Sequence, residues 1–240
     1  MPQDLLLKLA YDGTRYHGWQ IQENALTVQQ VFQEALERIT GLKEDIKACS
    51  RTDTGVHARE FCVSLRTESP IAPERLVAAL NHYLPQDIAV RSCAPVPPGF
   101  HARYSCKGKE YVYQIWNHPV RDPFLAGRAL HYWYPMDEAL LDQAAQHYVG
   151  RHDFSSFCTL DKREKGDLTR TVTHARVQRQ GTWSPSPWRR TAFCTTWCAS
   201  WWGRFCGCSR ENSPPRTSPA SSGPGTGRRR GPPPRPAACT

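Results

Sequence analysis

Apolar residues in the first 180 positions recur with two periods, and each period predicts an element. Leu5 to Ala10 reads as a strand closed by a turn at Asp12-Gly13. Thr27 to Thr40 reads as a helix, with Val28, Val31, Phe32, Ala35, Leu36 and Ile39 spaced three and four apart on one face. Thr27 and Gln30 form a capping box at its start, and Gly41 supplies the stop. A strand ending at Cys49 follows, and Phe61, Val63 and Leu65 then alternate through Glu60 to Arg66 as a half-buried strand. Pro73 opens a second helix through Leu76, Ala79, Leu80 and Tyr83, ended by Leu84-Pro85, and Ile88 to Cys93 is a further strand.

Part of this pattern repeats. Lys109 to Asn117 is predicted to be a strand with Tyr111, Tyr113 and Ile115 on one face. Met136 to Gly150 is predicted to be a helix burying Leu140, Leu141, Ala144 and Tyr148, and Thr171 to Gln178 a strand. The elements predict an α+β chain of two RRM-like α/β units sharing a largely antiparallel sheet, the second unit truncated. The divisions fall at 1–98, 99–182 and 183–240. There is neither a G-x-G-x-x-G string nor a P-loop. Cys49, Cys62, Cys93, Cys106 and Cys158 show no paired spacing and are expected to be reduced and buried, with no metal site in the body.

The pattern breaks near Thr182. Residues 183–240 contain no Leu, Ile, Val or Met, yet hold five Trp, five of the ten Cys and ten of the 20 Pro. A natural disordered segment lacks branched aliphatics but is also poor in Trp and Cys. Both oddities together point to codons read out of frame, and the genetic code allows a test. Read from the third base of each codon, Phe193 into Cys194 must give Leu, and Trp197 into Cys198 must give Val. The other junctions from Cys194 to Ala199 permit Tyr, Asn, Met and Arg, so the shifted frame can spell Leu-Tyr-Asn-Met-Val-Arg. We therefore expect a frame displacement close to Thr182, which the nucleotide sequence between the codons for Arg179 and Trp188 decides. The alternatives are a genuine Pro/Arg-rich extension that grips RNA by charge, or a zinc site at Cys194, Cys198, Cys206 and Cys208. The C-x3-C-x7-C-x-C spacing of the second is not a familiar zinc pattern.

Charge changes the picture less than it first suggests. A net charge of +9 over 240 residues favours a nucleic-acid partner. Nine Arg and one Glu give residues 183–240 a charge of +8, leaving +1 for residues 1–182. A grip on RNA by the body would rest on local groups such as Arg15, Arg51, Arg103, Lys107 and Lys109. No apolar run approaches the ~18 residues of a membrane span, and the start lacks a basic segment leading into an apolar one. A soluble, cytoplasmic chain with no membrane partner is expected.

Chemistry-bearing strings sit between the elements. Ser50-Arg51-Thr52-Asp53-Thr54-Gly55-Val56-His57 falls between two strands, where Arg51 and Asp53, two apart, project to one side of extended chain. A turn stabilised by an Arg–Asp ion pair is the plain alternative. Tyr11-Asp12-Gly13-Thr14-Arg15-Tyr16-His17-Gly18-Trp19-Gln20 follows the first strand. Asn81-His82-Tyr83-Leu84-Pro85, Phe100-His101-Ala102-Arg103-Tyr104 and Lys109-Glu110-Tyr111-Val112-Tyr113 complete the set.

These five strings, in this order from about Leu5 to Gly181, resemble the motifs of the tRNA pseudouridine synthase A family. The resemblance implies a tRNA-modifying isomerase acting on uridines of the anticodon stem-loop, at positions 38 to 40, without a cofactor. It implies that Asp53 is the nucleophile, attacking C1′ of the ribose or C6 of the base. Arg51 would fill the space left by the flipped base, and Tyr111 would stack on the target uracil. Arg103 and His101 would be RNA-backbone contacts or positions that support the residues touching the RNA. His57 is a further RNA contact or a structural histidine, and Tyr16, Trp19 and Gln20 are cleft-lining residues, with Trp19 alternatively core.

The family also carries Gly-Phe-Leu-Tyr-Asn-Met-Val-Arg, whose basic residue pairs with the catalytic aspartate. This chain lacks that string in frame, and the shifted frame recovers most of it. The chain as written is therefore expected to be unstable and inactive, and the family's homodimer is in doubt for it. A noncatalytic RNA-binding α+β module with an Arg-rich tail is the alternative function, and a hydrolase built on Asp53 and His57 a weaker third.

Overall fold

The computed structural model describes residues 2–157 and 168–179 with their side chains, and residues 180, 192–200 and 238–239 as backbone alone. Strand β1 (Gln3–Tyr11) buries Leu5, Leu7, Leu9 and Tyr11 while the residues between them face the other way, the period of a sheet with one covered face. β1 lies inside an antiparallel sheet with β2 (Ile46–Ala48), β3 (Ala58–Thr67) and β4 (Ile88–Pro95), in the order β2-β3-β1-β4. Helices α1 (Val28–Thr40) and α2 (Pro73–Tyr83) cover one face. Val28, Phe32, Ala35 and Leu36 of α1 and Leu76 and Leu80 of α2 join the odd-numbered residues of β1 and Phe61, Val63 and Leu65 of β3 in one core.

The caps form as the sequence dictates. The Thr27 hydroxyl accepts from the Gln30 amide at 3.4 Å, and Gly41, at φ +76°, ends α1. Gln33 is the exception on the buried face, and its amide donates to the Glu44 carbonyl at 2.6 Å. That bond meets the requirement that a buried polar group find a partner.

The second unit contains β5 (Lys109–Asn117), β6 (Leu130–Tyr132), α3 (Glu138–Gln146), β7 (Gly150–Asp153), β8 (Thr169–Gln180), β9 (Ala192–Ser200) and the two-residue β10 (Ala238–Cys239). Five of its strands run β10-β5-β9-β8-β7, with β6 parallel to β5 and the other pairs antiparallel. The α+β class and the largely antiparallel pairing are as expected. Among the described residues, however, the units are hydrogen-bonded as two sheets and not as one shared ladder. Pro95, Pro97 and Pro98 lack amide donors at the end of β4 and turn the chain away. No described helix is long and apolar enough to cross a membrane.

Two further expectations change. The helix expected over 136–150 is shorter, because the Asp137 carboxylate caps it at the Leu140 amide at 3.1 Å. Its phase turns Leu141, Ala145 and Tyr148 toward Val172, Ala175 and Val177 of β8, leaving Leu140 63% exposed and Ala144 outside. Cys49, Cys62, Cys93 and Cys106 are unpaired, as read, but half-buried rather than buried. Cys158 lies outside the described residues.

The backbone of β9 pairs with both β5 and β8, at the place of a strand the truncated second unit was expected to lack. Ladder hydrogen bonds are made by backbone groups, so pairing alone does not depend on which side chains β9 carries. The zinc candidates Cys194, Cys198, Cys206 and Cys208, and residues 183–191 and 201–237, fall outside what is described with side chains.

Candidate active site

The segment 49–57 joins β2 to β3 and is held by the first loop of the chain. The Cys49 amide donates to the Cys62 carbonyl at 2.8 Å, and the Tyr11 and Thr52 hydroxyls lie 2.9 Å apart. The Trp19 amide donates to the Thr52 carbonyl at 3.1 Å, and the Gly55 amide to the Tyr16 carbonyl at 3.1 Å. Two glycines make this approach possible. A Cβ on Gly13 would collide with the Val56 carbonyl, and one on Gly18, at φ +82°, with the Thr52 carbonyl. The glycines of the Tyr11–Gln20 string thus bring its backbone against the residues on either side of Asp53. Gly18→Ala is expected to lower stability by roughly 1–3 kcal/mol, since it adds left-handed strain to a steric clash. Urea unfolding checks it, with Gly41→Ala, at a similar φ but with no atom within 4 Å of its Cβ, isolating the strain.

Asp53 caps this loop, its carbonyl accepting from the Val56 amide at 3.2 Å. Among the described residues its carboxylate makes no hydrogen bond or ion pair. Partial burial raises its pKa above the ordinary carboxylate value. Tyr111, half-buried on β5, lies within electrostatic range of Asp53. Its phenol is pushed up to about 12, by burial first and then by Cys49, Cys106 and the Asp53 carboxylate.

Two positions before Tyr111, the Lys109 ammonium donates to the Ser50 hydroxyl at 2.9 Å and ties β5 to the Asp53 loop. Burial lowers the Lys109 pKa, and Arg103 lies close enough to lower it further. Arg51 is exposed beside this tie. Asp53, Tyr111, Arg51 and Arg103 are thus gathered around one junction of the two units, with Lys109, Ser50, Cys49 and Cys106.

Other residues expected at the site have different places. His57 is 7% exposed, and its Nε2–H donates to the Gly127 carbonyl at 3.0 Å. Its Nδ1 accepts from the Gly13 amide at 3.2 Å and lies 3.0 Å from Asp12 Oδ1. This histidine braces the loop from inside, the structural alternative to an RNA contact. Tyr16 and Trp19 are core residues rather than cleft lining: the Tyr16 hydroxyl donates to Asp87 at 2.8 Å, and Trp19 packs on Phe61 with ring centroids 4.5 Å apart. Gln20 is exposed next to the Trp19–Thr52 bond. His101 is half-buried, its Nδ1 accepting from the Arg103 amide at 3.2 Å and its ring against Tyr104. The Gly13–His57–Gly127 brace joins residues 70 positions apart and carries no local signal.

A sequence profile of the tRNA pseudouridine synthase family matches residues 9–105 and 144–197, which takes in the Asp53 loop, the Arg103 segment and most of β9. The chain belongs to the tRNA pseudouridine synthase family. Its similarity to individual synthases is of the same kind. It is 44% identical over 151 residues to the tRNA pseudouridine synthase A of Ruminiclostridium cellulolyticum, covering 63% of this chain and 62% of that protein. It is 43% identical over 155 residues to that of Thermoanaerobacter sp. strain X514, covering 65% and 64%. With the synthase of Shouchella clausii it shares 44% identity over 172 residues, covering 71% and 66%. The chain spans less than two thirds of the length of each of these synthases.

Proposed function

We propose that this chain carries the catalytic scaffold of a tRNA pseudouridine synthase, with Asp53 as nucleophile and a uridine at position 38, 39 or 40 of the anticodon stem-loop as target. The observation that carries the proposal is the Asp53 carboxylate. It is partly desolvated, lacks any hydrogen-bond or ion-pair partner among the described residues, and stands within electrostatic range of Tyr111. That carboxylate is exposed and unpaired among the described residues, on a loop that many bonds fix, which leaves it open to a ligand.

The isomerisation breaks the N1–C1′ bond and forms a C5–C1′ bond. C5 gives up a proton and N1 takes one, so the balance needs no co-reactant. Asp53 attacks the nucleoside, Tyr111 supplies an aromatic face for the uracil while it turns, and exposed Arg51 occupies the stack that the extruded nucleotide leaves. Residues 1–98 carry the nucleophile and residues 99–182 the uracil platform.

Among the described residues no cation pairs with the Asp53 carboxylate. The shifted reading of the codons for 193–199 permits an Arg at the junction of Cys198 and Ala199. In β9 these positions pair with Glu110 and Lys109, adjacent to the Tyr111–Trp197 pair. In the written frame these two positions are Cys198 and Ala199, neither of them basic. The expected sign is specific. Burial alone raises the Asp53 pKa in the chain as written, whereas a cation beside it favours the charged form and lowers it. Carbon-13 NMR titration should find Asp53 above the ordinary carboxylate value in the written chain and lower in a frame-corrected one. Unchanged titration would place the Arg elsewhere. Catalysis itself is tested by tritium release from tRNA labelled at uridine C5, which the frame-corrected chain should perform and a noncatalytic RNA-binding module should not.

A further inference from the structure

β1 is flanked on both sides by a β-bulge, and each bulge carries an arginine. Against β3 the register steps from Leu9 opposite Phe61 to Tyr11 opposite Ala58, leaving Arg59 and Glu60 consecutive and exposed. Against β4 it steps from Lys8 opposite Ser92 to Leu9 opposite Val90, leaving Arg91 as the inserted residue. Bulges re-aim side chains, and both arginines line a single cleft of about 350 Å³. Ala10, Ala89, Gln114 of β5 and Arg128 also line it.

The charges in the cleft are not balanced internally. Its carboxylates are already engaged, Asp12 with Arg128 at 3.1 Å and Asp87 with Arg15 at 2.6 Å. Glu60, beside Arg59, is paired with Lys8 at 2.6 Å. Among the described residues, Arg59 and Arg91 have no hydrogen-bond or ion-pair partner. Two guanidinium forks held on a sheet, with no protein acceptor, suit a ligand that presents several anionic oxygens.

None of Arg51, Asp53 and Tyr111 lines this cleft. Gln114 projects from the face of β5 opposite Tyr111, because successive residues of a strand alternate sides. The cleft is therefore separate from the uracil site, although buried His57 lines it and belongs to the Asp53 loop.

We propose that the cleft of Arg59, Arg91 and Arg128 is a second RNA-backbone site, which holds phosphates of the tRNA away from the reacting uridine. The inference rests on the tRNA substrate proposed above, but it is read from binding and not from turnover. If tritium is released and the cleft variants bind normally, the cleft fails and the synthase reading stands. If the variants bind weakly and the frame-corrected chain releases no tritium, the reverse holds.

The experiment is fluorescence anisotropy of the full chain with an unmodified tRNA transcript at several salt concentrations. The pair Arg59→Ala/Arg91→Ala is compared with Arg38→Ala/Arg75→Ala, which removes the same charge from exposed positions of α1 and α2. The Arg-rich residues 183–240 contribute equally to every variant, so the differences carry the result. The cleft pair should weaken binding about tenfold at low salt and make the salt slope shallower by about one to two, the scale of one or two lost phosphate contacts. The control pair should do neither. Equal effects of the two pairs, or no effect of the cleft pair, overturn the proposal. So does a cleft pair that loses binding to phosphatidylglycerol vesicles while binding tRNA normally. Near-UV circular dichroism identifies a misfolded variant, in which case Arg59→Gln/Arg91→Gln, with its longer side chains, provides the same comparison.

Discussion

Asp53→Asn, made in the frame-corrected chain, should lower pseudouridine formation by roughly 10⁴-fold or more, the scale of removing a nucleophile. The amide is nearly isosteric with the carboxylate, and the Val56 amide bonds the backbone of residue 53, so the loop geometry should survive. The carboxylate holds no bond that the fold depends on among the described residues, so stability should change little and tRNA affinity should be kept. The expected signature is a loss of kcat at nearly constant binding. A noncatalytic RNA-binding module would be indifferent to the change, and a structural role for Asp53 would appear as lost stability. Tritium release and anisotropy on the same preparation separate the three.

The frame displacement proposed near codon 182 carries the second large expected effect. The written sequence from Trp183 onward has no Leu, Ile, Val or Met, yet the backbone of β9 joins β5 to β8. Among the described residues the second core is a small cluster around Phe154, Val172 and Val177. The shifted frame forces apolar residues beyond the string at 193–199 as well. Trp201 into Trp202 must read Val, Trp202 into Gly203 must read Gly, and Phe205 into Cys206 must read Leu. Each aliphatic side chain buried is worth about 1.5–3 kcal/mol. Several of these together are comparable with the whole margin of a typical domain. The written chain should therefore show low stability in its second unit and no tritium release, whereas the corrected chain should unfold cooperatively and turn over. Urea denaturation of both chains, followed by tryptophan fluorescence, checks the first half. Equal midpoints, or turnover by the written chain, contradict it.

What could be read from the sequence was local. The odd-numbered leucines of β1, the capped helix α1 and the alternating Phe61, Val63 and Leu65 announce themselves because their period, their caps and their burial coincide. The α3 helix was misphased because Leu140 and Leu141 both look like core residues, and only the cap at Asp137 and the packing on β8 decide between them. The Asp53 loop was visible as a string, but its support was not. The glycines that let residues 13 and 18 touch it, and the brace from His57 to Gly127, join distant parts of the chain. The bulges at Arg59 and Arg91 are set by pairing register and leave no mark in either strand alone. Net charge pointed toward RNA through the wrong residues. The +8 belongs to residues 183–240, while the arginines that line the cleft belong to a body that is nearly neutral.

The most direct measurement is of the product itself. Unmodified tRNA is incubated with the frame-corrected chain, treated with a carbodiimide that marks pseudouridine, and read by reverse transcription. Stops at a uridine at position 38, 39 or 40 that vanish with Asp53→Asn are the expected result. No stop, or a stop that Asp53→Asn leaves in place, would contradict the assignment of Asp53 as the nucleophile of a tRNA pseudouridine synthase.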